Sequence, residues 1–237
     1  EGCTVKDCDR TGIATISSWD QRTLTANTNW TPNTNLIVRN NLIERIGANG
    51  LIIRVSDHPI IEKNVFKQCS LKWSGNAMFV FNCDDATIQY NEALLTVYNS
   101  GDNDASGFDS DYRCKRTVIQ YNYSHDNDDG FVVITCQGGS DRFNDGTIVR
   151  YNISQNDGGK GSTSGGIIYL SGTPTNSYIY NNVIYSSSTN AIRRVVYHNS
   201  WSGYPDKTSY SNNIFYVLKT PTSTAFSMSS STNNSFD

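Results

Sequence analysis

Ile88-Gln89-Tyr90-Asn91, Ile119-Gln120-Tyr121-Asn122 and Val149-Arg150-Tyr151-Asn152 are three copies of one short pattern, strand-forming residues followed by an asparagine. Toward the N-terminus the pattern recurs as Ile61-Glu62-Lys63-Asn64 and Ile37-Val38-Arg39-Asn40, and toward the C-terminus as Ile179-Tyr180-Asn181-Asn182 and Tyr210-Ser211-Asn212-Asn213. The asparagines are spaced by 24, 27, 31, 30, 30 and 31 residues. Thr4-Val5-Lys6-Asp7-Cys8 reads as a degenerate first copy. A period of this length marks stacked repeats. The repeats hold β-branched and aromatic residues and show no helical periodicity, so each is a coil of short strands. Stacking places each asparagine above the last at the ~4.8 Å strand spacing, where one amide can donate to the next. That arrangement satisfies a polar group at a tight bend, which makes the asparagines structural.

A second strand precedes each asparagine and opens with a small residue before a large apolar one. The copies are Gly12-Ile13, Gly50-Leu51, Ala77-Met78, Gly107-Phe108, Gly130-Phe131, Gly166-Ile167, Ala191-Ile192 and Ala225-Phe226. Two strands per coil, in step, predict an all-β solenoid of about eight coils spanning residues 1–237. The I-x-x-N ladder with its G-Φ-x-Φ strand resembles the single-stranded right-handed parallel β-helix of the pectate-lyase-like superfamily. That resemblance covers nearly the whole chain and implies a carbohydrate-active protein, because the superfamily includes lyases, hydrolases, esterases and phage adhesins. The Asn-Thr-Asp and Gly-His-Gly signature of its pectin hydrolases is absent.

Composition agrees with a narrow core. Of 237 residues, 37% are hydrophobic and 17% charged, with Asn, Ser, Thr and Gly making up the difference. The net charge of -3, with no basic block, argues against nucleic acid. No apolar run is long enough to span a membrane as a helix. Uncapped coils at both ends point to further coils or a capping segment in a larger protein. The absence of a leader suits a processed product acting outside the cytoplasm. No C-x-x-C pair occurs among Cys3, Cys8, Cys69, Cys83, Cys114 and Cys136. Cys83 and Cys114 each lie eight residues before a repeat asparagine and should sit on adjacent coils, as a disulfide or as a reduced, buried stack.

Chemistry concentrates in Gly101-Asp102-Asn103-Asp104-Ala105-Ser106-Gly107-Phe108-Asp109-Ser110-Asp111-Tyr112-Arg113-Cys114. With Phe108 and Ser110 pointing inward, Asp109 and Asp111 face outward together, about 6.5–7 Å apart at Cα. In the flanking coils the matching slots read as Phe79 and Phe81, and as Val132 and Ile134. A register shifted by one residue would turn the pair inward, so a bulge is expected in this coil. Two carboxylates flanking one bond suit glycoside hydrolysis, one as acid and one as base or nucleophile, with a bell-shaped, acidic pH profile. Phe79, Phe81 and Tyr112 would offer apolar faces to a sugar, with Arg113, Asp126 and Lys160 as further substrate ligands. His125, in the loop Ser124-His125-Asp126, is a third catalytic candidate. The 99–106 and 124–129 loops should wall the cleft. Asp102-x-Asp104 resembles the start of a calcium loop, although Arg113 stands where the closing carboxylate belongs. Calcium is therefore possible, and no cofactor is required. The partner expected is a polysaccharide or oligosaccharide. A polysaccharide lyase using a basic residue with calcium, or a non-catalytic glycan-binding β-helix such as an adhesin or tailspike segment, are the alternatives.

Overall fold

The computed structural model describes residues 1–15, 22–26, 29–99, 104–139, 141–159, 165–228 and 232–237. The chain winds into a right-handed parallel β-helix. Three parallel sheets run its length, two of eight strands and one of eleven, and every pairing is parallel. Each coil therefore carries three strands, one more than the sequence pattern suggests. A lead-in strand precedes the repeat asparagine, for example Val118–Gln120. A ladder strand follows it, for example Tyr123–His125. The third strand belongs to the broad sheet, for example Phe108–Ser110 and Val132–Cys136.

All three corners use residues with φ near +55°. Tyr90, Tyr121 and Tyr151 occupy one corner, Gln68, Leu95 and Asp126 the next, and His58, Asp85 and Arg116 the third. The first corner is stabilised by the amide ladder. Backbone N and Nδ2 of each asparagine donate to Oδ1 in the next coil, at 2.8–3.1 Å, from Asn41 through Asn64, Asn91, Asn122, Asn152 and Asn182 to Asn213. The first full rung is thus Asn41. Asn40 is the left-handed residue before it, because Ile37 pairs with Ile60 rather than with Ile61. In the first coil Cys3 takes the rung position, donating its N–H to Asn41 Oδ1, and Thr4–Cys8 is a ladder strand.

The core is narrow. Ile61, Ile88, Ile119, Val149 and Ile179 stack from the lead-in sheet, and Leu51, Met78, Phe108, Val132 and Ile168 from the broad sheet, all fully buried. Strand starts in the N-terminal coils follow the small-large pattern, as in Leu51↔Met78 and Phe108↔Met78. In the next coils Phe108 pairs with Val132 and Val132 with Ile168, one residue beyond Gly130-Phe131 and Gly166-Ile167. The following strand is Val196–Asn199, not one starting at Ala191-Ile192. In those coils Phe131 and Ile167 turn in at the corner and are also fully buried. Glycine before these strands has a steric cause. A Cβ on Gly50 would lie 2.4 Å from the Ala77 carbonyl oxygen, and one on Gly130 2.4 Å from that of Gly166.

The expected bulge is present. Ser110 pairs with Val80 and Lys115 with Asp84, so five residue steps oppose four. Cys83 and Cys114 lie side by side in these strands as buried free thiols. Burial, then the neighbouring Cys83 thiol, pushes the Cys114 thiol well up. An excursion after the first coil packs over the same sheet. Arg22, buried, donates to Asn82 Oδ1, Asp84 Oδ1 and the Arg113 carbonyl, each at 2.7 Å, beneath the Trp30 ring.

Candidate active site

The outer face of the broad sheet carries a cleft of about 490 Å³. Two rows of side chains across the strands form its floor. Phe79, Asp109, Val133 and Tyr169 are in register in one row, and Thr135, Ser171 and Asn199 in the next. Val133 and Thr135, not Val132 and Ile134, thus continue the outward face; the latter pair points into the core, a consequence of the one-residue shift in that coil. Asp104 and Asn76 border one end and Trp201 the other.

Asp109 sits in the floor, only 4% exposed. Its Oδ2 accepts from Asn76 Nδ2 at 3.0 Å, while Oδ1 has no hydrogen-bond partner among the described residues. Asn76 is itself fixed, since its Oδ1 accepts the N–H groups of Ala105 and Ser106 and its own N–H donates to Asn49 Oδ1. Asp111, half-buried, lies on the bulge, where its Oδ1 accepts the Tyr112 N–H at 2.6 Å. Asp104, also half-buried, accepts from Ser74 Oγ at 3.0 Å. Three carboxylates therefore converge. Burial, then the charges of Asp111 and Asp104, holds Asp109 well above the usual carboxylate range. Burial pushes Asp111 up to about 7, with Asp104 adding to the effect and the Tyr112 N–H opposing it. Crowded carboxylates in a dry pocket separate their protonation in this way.

Phe79 and Tyr112 border the cleft. Phe81 is 6% exposed and packs its ring against Tyr112 at 5.9 Å, and Tyr112 in turn meets Trp201 edge-on at 5.5 Å. Arg113 points away from the cleft floor to Asp141, donating to Oδ2 at 2.9 Å and to the carbonyl at 3.0 Å. His125 and Asp126 are not brought here. His125 belongs to the ladder sheet, between Asp126 Oδ2 at 2.8 Å and Glu92 Oε1 at 3.1 Å, stacked on Tyr123. Its ring is lowered by burial, but the hydrogen bonds of Asp126 and Glu92 outweigh that and raise it. Asp126 is the left-handed corner residue beside it. The 124–129 loop therefore does not wall the cleft, because a corner separates it from the broad sheet; Asn199, Ser200 and Trp201 do so instead. Asp102 and Lys160 lie outside the described residues. Asp104 faces the cleft, and among the described residues three metal-capable side chains approach within 4.8 Å only at Asp57, His58 and Asp85.

The sequence reading missed Asn49, Asn76, Tyr169, Asn199 and Trp201. Asn199 was hidden by the misplaced strand start, yet it anchors this end, donating to Tyr169 OH at 3.1 Å and Ser171 Oγ at 3.2 Å.

No known family model matches the chain. A lacto-N-biosidase of Bifidobacterium longum subsp. longum is 29% identical over 211 residues, an alignment that takes in 77% of this chain. Two crystal structures of a GH136 lacto-N-biosidase from Eubacterium ramulus match with a TM-score of 0.57, at 23% and 24% identity over 78% of this chain. These structures show the same fold. The chain spans 12% of the length of the Bifidobacterium protein and 28% of the solved Eubacterium chain.

Proposed function

We propose that this protein is a glycoside hydrolase acting on oligosaccharides outside the cytoplasm, with the carboxylate cleft as its active site. The convergence of Asp104, Asp109 and Asp111 in one cleft carries the reading. The likeness to lacto-N-biosidases supports it and suggests a glycan with a lacto-N-biose unit. Within the trio, exposure assigns the roles. A general acid must reach the leaving oxygen, which Asp111 can do and the 4%-exposed Asp109 cannot do without rearrangement. Asp111, protonated up to about pH 7, donates the proton. Asp104, whose charge raises both neighbours, is the second working carboxylate, which activates water or attacks the anomeric carbon. Asp109 is the neutral group behind them. The alternative pairing of Asp109 with Asp111, suggested by the strand pattern alone, makes Asp109 the acid. This chemistry draws on carboxylates alone, so a chelator should leave the rate unchanged.

A hydrolase reading also fits the cleft better than a lyase. Tyr112, the phenol beside Asp111, is pushed by burial up to about 12, which makes it a poor base. Among the described residues no His or Lys borders the cleft. The test is turnover of an aryl glycoside of lacto-N-biose in 18O-labelled water. Incorporation of label at the new reducing end supports hydrolysis, and Asp111→Asn should lower kcat by about 10²–10⁴-fold on a natural leaving group. Unsaturated products absorbing in the ultraviolet would establish a lyase, and binding without turnover a glycan-binding module.

A further inference from the structure

Ala105, the residue after Asp104, has a φ of +123°. Every other non-glycine residue of positive φ among those described lies between +45° and +63°, the ordinary left-handed corner of this fold. At +123° a Cβ crowds the backbone, and glycine is the residue that adopts such an angle without strain. Strain of this kind persists only where the surroundings enforce it, and it collects at sites that must hold a shape. Asn76 supplies the restraint. Its Oδ1 accepts the N–H of Ala105 at 3.2 Å and that of Ser106 at 2.9 Å, which takes in both peptides flanking the strained residue. On the far side the Ala105 carbonyl accepts the Asp129 N–H at 3.3 Å. Asn76 is itself locked. Its Nδ2 donates to the buried Asp109 Oδ2 at 3.0 Å, and a flipped amide would set NH2 against two N–H groups. Its backbone N–H is tied to Asn49 Oδ1 at 2.7 Å. A carboxyl between the apolar Phe79 and Val133 therefore has a local purpose, as the acceptor that fixes this amide.

We infer that Asn76 is a positioning residue, which aims Asp104 into the cleft by holding Ala105 in its strained conformation. The inference rests on the hydrolase reading, in which Asp104 is one of the two working carboxylates. Ser74 Oγ steadies the same carboxylate, donating to Oδ2 at 3.0 Å, but only Asn76 grips the backbone behind it on both sides of Ala105. Without that grip Ala105 relaxes toward a common φ, the chain changes direction at Asp104, and the carboxylate swings off its line. A misplacement of about 1 Å in a working group costs on the order of 10²-fold in rate. Affinity depends on the rest of the cleft and changes less.

Turnover of the aryl glycoside of lacto-N-biose, expressed per folded molecule, decides the matter. Asn76→Ala should lower kcat by about 10–10²-fold and change KM by less than about threefold. Adding Ala105→Gly to Asn76→Ala should recover at least about threefold in kcat, because glycine reaches the required φ without a clamp. A residue that merely supports the fold would lower the melting temperature without this rescue. Asn76→Leu, which fills a similar volume, takes the place of Asn76→Ala should the latter fail to fold. An unchanged kcat, a loss confined to KM, or no recovery from Ala105→Gly would overturn the positioning role while leaving the hydrolase standing. A parent chain silent on the aryl glycoside would remove the hydrolase reading and the positioning role with it.

Discussion

Asp109 occupies a position that ordinarily holds an apolar side chain, between Phe79 and Val133 on neighbouring strands. A charged carboxylate there would be costly, and the residue stays protonated instead. Asn is nearly isosteric with a protonated Asp, so Asp109→Asn should keep most of the turnover if Asp104 and Asp111 do the chemistry. Loss of activity comparable to that of Asp111→Asn would restore the Asp109–Asp111 pairing. The pH profile follows from the same group. Asp111 must be protonated to act as the acid, so kcat/KM should fall as pH rises through about 7. A profile flat from pH 6 to 9 would contradict that role. At this scale the sequence carried real information. Two aspartates at alternate strand positions are legible as an outward pair. The place of Asp104 beside them was not, because its loop position says nothing of where the loop folds back. His125 failed for the same reason, since neighbouring residues across a left-handed corner end on different sheets.

The element that holds the site is the bulged strand over its neighbours, and its stability comes from contacts repeated coil by coil. Asn122 donates to Asn152 and accepts from Asn91, so Asn122→Ala would take the acceptor from the Asn91 backbone N–H and side-chain amide, and one donor each from Asn152 Oδ1 and the Ile88 carbonyl. A loss of about 1–3 kcal/mol is expected, read as a lower denaturant midpoint, with glycan affinity intact in the folded fraction. Gly50→Ala should also destabilise, since the new methyl would meet the Ala77 carbonyl at 2.4 Å and the Cys69 sulfur at 2.7 Å. An unchanged melting temperature in either variant would refute the packing described. The ladder period was plain in the sequence because the asparagines cannot drift without losing their partners. The broad-sheet strand starts were not, because Phe131 and Ile167 are apolar residues that a corner can bury just as a strand does. That one-residue ambiguity accounts for the misassigned Val132 and Ile134.

Across the whole molecule, several carboxylates are pushed toward the protonated form by burial. Asp157, bonded by Ser154 and Asn127, is raised to about 6, and Asp129 well above the ordinary value, by burial and then by Asp104 and Asp128. Each such group has a folded pKa above its unfolded one, so its contribution is complete below about pH 4 and is lost as pH rises through the folded value. His198 works the other way. Burial lowers it to about 4, so it adds stability between there and about pH 6.5. Above about pH 6.5 only the losses remain, so the melting temperature should be lower at pH 8 than at pH 6.5. Asp129→Asn should flatten that decline. A melting temperature that rises over this interval would show the buried carboxylates to be ionised and paired. The number of coils was readable from the repeat alone, but the third sheet was not, because its residues lack a common motif.

Every rung of the amide ladder points the same way, with nitrogen in one coil and oxygen in the next, from Asn41 to Asn213. The ladder is therefore a vector, and the solenoid has a polarity that its cross-section does not reveal. Duplicating one module in tandem, such as the 30 residues from Asn122 to Asn152, preserves that direction and simply lengthens the rod. Joining two rods head to head would set like dipoles against each other at the seam. Growth of this architecture is thus directional, as in a polymer with distinct ends, and the length of its broad outer sheet can change by whole coils without redesigning any one of them.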